Sequence, residues 1–197
     1  HLEYMPDIVD EARSKMSAIV TSVARPKDAP KILALREANK DFIFVCLGMH
    51  PTERFDEKEI NEYMEFVRKN KNNIVGIGEV GLDYFHMKTP KDIEQCKQTF
   101  RKFISLAAEL GKPLVIHCRN APGLSDKDAF SDLFDMIKDF QGPVMMHCFS
   151  GSKTALKTAV ERGYYISFAT VLCKSDKHKK LVKEAPLARM LLETDAP

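Results

Sequence analysis

The sequence carries no CxxC pair, and its five cysteines are scattered singly at Cys46, Cys96, Cys118, Cys148 and Cys173. That spacing argues against a zinc knuckle, a redox pair or a disulfide framework. Cys46, Cys118 and Cys148 fall inside apolar runs, where free thiols pack as small hydrophobes, so a reducing, cytoplasmic setting is expected. Long apolar runs are also lacking. Those such as Phe42 to Met49 span about eight residues, too short to cross a bilayer or to form an export signal, so no membrane association is expected. There is no GxxxxGK[ST] phosphate loop. Charge of one sign is scarce: 30 basic against 28 acidic side chains leave a formal +2, a field that neither demands nor excludes a polyanionic partner. No obligate protein partner is evident.

What is present is the composition of a soluble globular protein, 44% apolar and 29% charged over 197 residues, with no linker or low-complexity tract; a single domain over 1–197 is expected. Seven apolar or β-branched runs recur: Ala18 to Ala24, Phe42 to Met49, Ile74 to Val80, Pro113 to Cys118, Pro143 to Cys148, Tyr164 to Ala169 and Arg189 to Thr194. They read as strands of a parallel sheet covered on both faces. Helical spacing is clearest in Ile60, Tyr63, Met64 and Val67, and in Ile93, Cys96, Phe100, Phe103, Ile104 and Ala107. Gly111, Gly142 and Gly163 are placed as glycines just past helix ends, Ser125 and Ser175 as N-caps.

Alternating strands and helices give either a doubly wound sheet or a barrel, and periodicity alone does not separate them. The strand ends do. Met49 leads to His50, Ile77 to Glu79, Ile116 to His117, Met146 to His147, and Glu193-Thr194 to Asp195. Polar groups converging from the C-terminal ends of many strands mark a (β/α)8 TIM barrel of the α/β class. Such a barrel usually takes about 250 residues, so this chain is expected to lack parts of one.

His117, His147, Glu79 and Asp195 offer imidazole and carboxylate donors without a thiolate in register, which suits Zn, Mn, Fe or a partly hydrated Mg. Such a set points to hydrolysis, with two ions about 3.5 to 4 Å apart clamping the attacking and leaving oxygens. Glu79 sits in an otherwise apolar strand, where its charge needs a counterpart: a metal, which it can bridge, or a buried Arg such as Arg119. Asp195 ends an apolar run and is expected to be a ligand and the general base for water. Glu193 alternates to the other face and reads as structural. Arg119 can grip a phosphate or form an ion pair, and His50 can contact substrate or serve as a hydrogen-bonded rim residue. The cationic run Lys174 to Lys180 is either a solvated helix face or a contact to a nucleic-acid backbone. Phe55, Tyr84 and Phe85 can stack on bases or pack internally.

Five ordered motifs, Gly48-Met-His-Pro51, Ile77-Gly-Glu-Val-Gly-Leu-Asp-Tyr84, Pro113-Leu-Val-Ile-His-Cys-Arg-Asn-Ala121, His147-Cys-Phe-Ser-Gly151 and Glu193-Thr-Asp-Ala-Pro197, span nearly the whole chain and resemble those of the TatD-related hydrolases. The resemblance implies a metal-dependent deoxyribonuclease, often a 3′ to 5′ exonuclease, acting on single-stranded DNA or 3′ ends. It implies a TIM barrel with two or three divalent ions, Mg, Mn or Zn. Glu79 would bridge, His117 and His147 would be ligands, and Asp195 would be ligand and base. His1, followed by Leu2, is similar to the second histidine of a His-x-His motif that ends the family's first strand, and on that resemblance it would be a further metal ligand. On that comparison most of strand 1 and the final helix are expected to be missing. The alternatives are a metal-dependent amidohydrolase or a small-molecule phosphodiesterase on the same barrel; a Glu at position 79, where many amidohydrolases carry a carboxylated lysine, favours the phosphoesterase.

Overall fold

Each of the seven apolar runs becomes a strand. A computed structural model of the chain describes residues 6–121 and 129–195; His1 and Ser125 lie outside the described residues. The order is α1 (Pro6–Lys15), β1 (Ile19–Val23), α2 (Ala29–Ala38), β2 (Ile43–Leu47), α3 (Glu57–Lys69), β3 (Gly76–Asp83), α4 (Pro90–Leu110), β4 (Leu114–Arg119), α5 (Ala129–Met136), β5 (Val144–His147), α6 (Lys153–Glu161), β6 (Tyr165–Phe168), α7 (Asp176–Glu184) and β7 (Met190–Leu192).

All adjacent strands pair in parallel, and their spatial order is their sequence order, β1 to β7. A doubly wound sheet reverses direction partway, whereas a barrel adds each strand beside the last. Seven parallel strands thus form a curled half-barrel. β1 and β7 are its two edges among the described residues. The curl has a measurable consequence: in a flat sheet β2 and β5 stand about 14 Å apart, yet His50 after β2 and His147 on β5 both come within 3.5 Å of the same Glu79 oxygen.

Helices α3, α4, α6 and α7 start where side chains satisfy their free amides. α3 and α4 carry reciprocal capping boxes, Asp56 with Glu59 and Thr89 with Asp92, and Ser175 caps α7 by accepting the His178 N–H. Gly111 closes α4 at φ 61°, left-handed as expected. Gly142 does not close a helix: α5 ends at Met136, and Gly142 has no positive φ. The apolar faces of α3 and α4 bury Ile60, Val67, Phe100 and Phe103 in the core with the strand residues Ile43, Leu47, Ile77, Leu114 and Ile116.

β3 is longer than its sequence suggests. A register shift between Ile77 and Val80 lets it continue past Gly81 to Asp83. Gly76, Gly78 and Gly81 have the GxGxxG spacing of a dinucleotide loop, but all three lie inside this strand, not at a strand-to-helix turn, so no such loop exists. No helix among the described residues is long and apolar enough to cross a membrane.

Candidate active site

The glycines around β3 let the strands close on one another. A Cβ at Gly48 would lie 2.5 Å from the Gly78 carbonyl carbon and 2.7 Å from the Glu79 carbonyl oxygen; one at Gly81, whose φ is 142°, would lie 2.0 Å from the His117 carbonyl oxygen. Gly81 pairs across the sheet with His117, and His117 pairs with His147. Consecutive C-terminal strand ends are thereby brought into contact.

Glu79 is the centre. Its Oε1 lies 2.9 Å from His117 Nδ1, 3.3 Å from His50 Nε2 and 3.5 Å from His147 Nε2. Burial alone would raise the pKa of this carboxyl, but hydrogen bonds from His117 and His50 and the nearby His147 outweigh it and hold Glu79 well below the usual carboxylate range. His147 Nε2 also faces Asp195 Oδ1 at 3.1 Å, and Asp195 is lowered by this hydrogen bond. For His147, desolvation works against the charged form; Asp195, Glu193 and Glu79 overcome it and lift the pKa to about 10. Four of the residues expected as ligands are therefore linked by successive contacts, His117 to Glu79, Glu79 to His147 and His147 to Asp195.

Three further residues belong here. Asp83 is fully buried, and its Oδ2 lies 3.0 Å from His117 Nε2 and 2.9 Å from His86 Nδ1. Burial opposes its ionisation, but the bonds from His117 and His86 bring its pKa down to about 2. His117 is thus bracketed by carboxylates on both ring nitrogens, which raises its pKa against the desolvation that would lower it. Glu193, read from alternation as pointing elsewhere, instead lies in the site: Oε2 is 2.6 Å from His147 Nδ1, and Oε1 accepts the Cys148 N–H at 2.7 Å and the Ser167 hydroxyl. β7 ends at Leu192, so strand alternation no longer governs position 193. Cys148 itself has a left-handed φ of 41°, the kind of outlier that clusters at functional sites.

His50 belongs to the cluster, with Nδ1 2.6 Å from Thr52 Oγ1 and Nε2 3.2 Å from His117 Nδ1. Arg119 is exposed at the rim with its guanidinium 4.0 Å above the Phe85 ring, and the group facing Glu79 is histidine rather than Arg119. Tyr84 is buried and donates its hydroxyl to Asp132 at 2.6 Å, which removes it from base stacking. In the cationic run, Lys177 donates to the Ser150 carbonyl and Lys179 pairs with Asp176.

The donor set fits a metal. His50, Glu79 and His117 form one group and His147, Glu193 and Asp195 another, each with donor atoms within 4.8 Å of one another. Nitrogen and oxygen donors without thiolate suit hard to borderline divalent ions. Glu193, with both oxygens engaged, is better placed to orient His147 than to ligate.

Known proteins share this chain's pattern. It is 34% identical over 97% of its length to an uncharacterized metal-dependent hydrolase of Methanocaldococcus jannaschii, spanning 71% of that protein. It is 28% identical to the 3′-5′ ssDNA/RNA exonuclease TatD of Edwardsiella piscicida, over 98% of this chain and 73% of that one. The crystal structure of a TatD family hydrolase from Entamoeba histolytica superposes with a TM-score of 0.82 at 24% identity, covering 96% of this chain and 64% of that one, a likeness of fold. The family model for TatD related DNases matches residues 1–197, and the chain belongs to that family.

Proposed function

We propose that this chain works as a metal-dependent phosphodiesterase on DNA, removing nucleotides from the 3′ ends of single strands in the cytoplasm. The observation that carries this reading is the convergence of three histidine nitrogens on the single oxygen Glu79 Oε1. The exonuclease name of the Edwardsiella relative supports the substrate, and five cysteines with no disulfide among them support the compartment.

Glu79, His117, His147 and Asp195 would hold two divalent ions, Mg, Mn or Zn. Such ions lower the pKa of a bound water and neutralise charge on phosphoryl oxygens. The chain's own groups do the rest. Asp83 and Glu193 each occupy one nitrogen of a histidine, leaving His117 Nδ1 and His147 Nε2 turned toward Glu79. Asp195, ionised and exposed at the rim, is placed to take the proton from an attacking water. His50, held by Thr52, is placed to contact the substrate phosphate beside Glu79.

The test uses single-stranded DNA carrying a 5′ label, with Mg or Mn, and with EDTA and Glu79→Gln as controls. Progressive shortening from the 3′ end, abolished by both controls, is the expected result. Persistence of cleavage in either control would reject the metal mechanism, and cleavage only at internal positions would reject the exonuclease assignment.

A further inference from the structure

We propose that Phe85 and Arg119 form a stacking platform for a nucleobase of the bound strand. This rests on the reading of the site as one that acts on nucleic acid.

Both residues are tied to the catalytic strands. Arg119 lies two residues beyond His117 on β4, hence on the same face and about 6.6 Å further toward the rim. Phe85 lies two residues beyond Asp83, the carboxylate that holds His117. Asp83 pairs with Arg119 across the sheet, and the Tyr84 N–H donates to the Arg119 carbonyl at 2.8 Å, so the turn after β3 is fixed against β4. The two side chains meet above that turn, with the guanidinium carbon 4.0 Å from the ring centroid. His86 meets the same ring in a T-shaped contact, centroids 4.9 Å apart, and is itself held by Asp83.

Exposure separates this pair from ordinary packing. Phe85 is 43% exposed, and Arg119 is exposed beside it, while Tyr84 next to them is buried with its hydroxyl bonded. A flat cation laid on an aromatic ring offers a planar surface and a positive charge together, the two features that bind single strands without demanding a sequence. The sequence offered Arg119 as a phosphate grip or an ion-pair partner. Its geometry instead sets the guanidinium over the Phe85 ring, its central carbon 4.0 Å from the ring centroid.

The experiment uses a single-stranded oligonucleotide with 2-aminopurine at its 3′ end and cleavage-resistant phosphorothioate linkages, with Mg present, and a matched strand whose 3′ residue is abasic. Wild-type protein is expected to quench the analogue by stacking. Phe85→Ala and Arg119→Ala are each expected to abolish the quench and weaken binding about tenfold, with less than a twofold change on the abasic strand. Arg119→Lys, which keeps the charge and loses the plane, should behave as Arg119→Ala. Equal losses on both strands, unchanged binding in Phe85→Ala, or wild-type quench in Arg119→Lys would each overturn the platform. Quench without cleavage of an unmodified strand would overturn the nuclease reading and leave the platform standing.

Discussion

Glu193 grips His147 by the ring nitrogen that faces away from the site, with Oε2 2.6 Å from Nδ1. Its other oxygen accepts the Cys148 N–H, so both carboxylate oxygens receive hydrogens. An amide in its place must turn its NH2 toward one of those donors. Glu193→Gln is therefore expected to lower metal affinity about 10- to 100-fold while the strands remain paired. Metal titration calorimetry beside far-UV circular dichroism checks this, and unchanged affinity would remove Glu193 from its orienting role.

Asp195→Asn leaves the core untouched, because Asp195 lies exposed at the rim. Turnover is expected to fall at least about a hundredfold, the scale of a lost general base, with the melting temperature nearly unchanged. Near-normal turnover would give the proton to another group.

Asp83→Asn acts from below the site. The carboxylate is fully buried and bonded to His117 and His86, so its replacement leaves one ring facing a donor. A loss of about 1 to 3 kcal/mol is expected, with lower metal affinity. Chemical denaturation with and without metal measures both; a destabilised protein with intact affinity would make Asp83 a purely structural residue.

Metal binding and pH are linked through His147. In the metal-free protein its folded pKa of about 10 exceeds the unfolded 6.5. A raised pKa gives stability that is fully present below pH 6.5 and is lost as pH rises toward about 10. A ligand nitrogen must be free of its proton, so metal affinity rises over the same range. The gap in melting temperature between metal-loaded and EDTA-treated protein should widen from pH 6.5 upward. A gap that stays constant with pH would mean that His147 yields no proton to the metal; equal melting temperatures at every pH would sink the metal site itself.

Tyr84→Phe tests the opposite claim. The hydroxyl bonds Asp132, which Lys97 also meets at 2.6 Å, away from the histidines. A modest drop in stability, about 1 kcal/mol, and cleavage within twofold of wild type are expected. A large catalytic loss would return Tyr84 to the site.

The strands were legible because a buried parallel strand leaves an uninterrupted apolar run, and Glu79 because a carboxylate inside such a run needs a counterpart. Asp83 was not, since the apolar run ends at Val80 and only the shift between Ile77 and Val80 carries β3 onward to it. Glu193 was misread for a related reason: a two-residue period was extended past Leu192, where the strand ends. Helices α1 and α2 escaped notice, while α3 and α4 declared themselves through broad apolar faces closed by capping boxes. Gly142 was assigned to a helix end that lies earlier, at Met136.

The tight approaches at Gly48 and Gly81 change how variants of this chain are to be judged. Neither glycine donates an atom to the site, yet any side chain there would drive into the backbone of Glu79 or His117. The ligands can all survive in a sequence whose strands no longer close far enough to use them. Competence is thus written partly in residues without chemistry, and an inventory of histidines and carboxylates alone will count silent relatives as active ones.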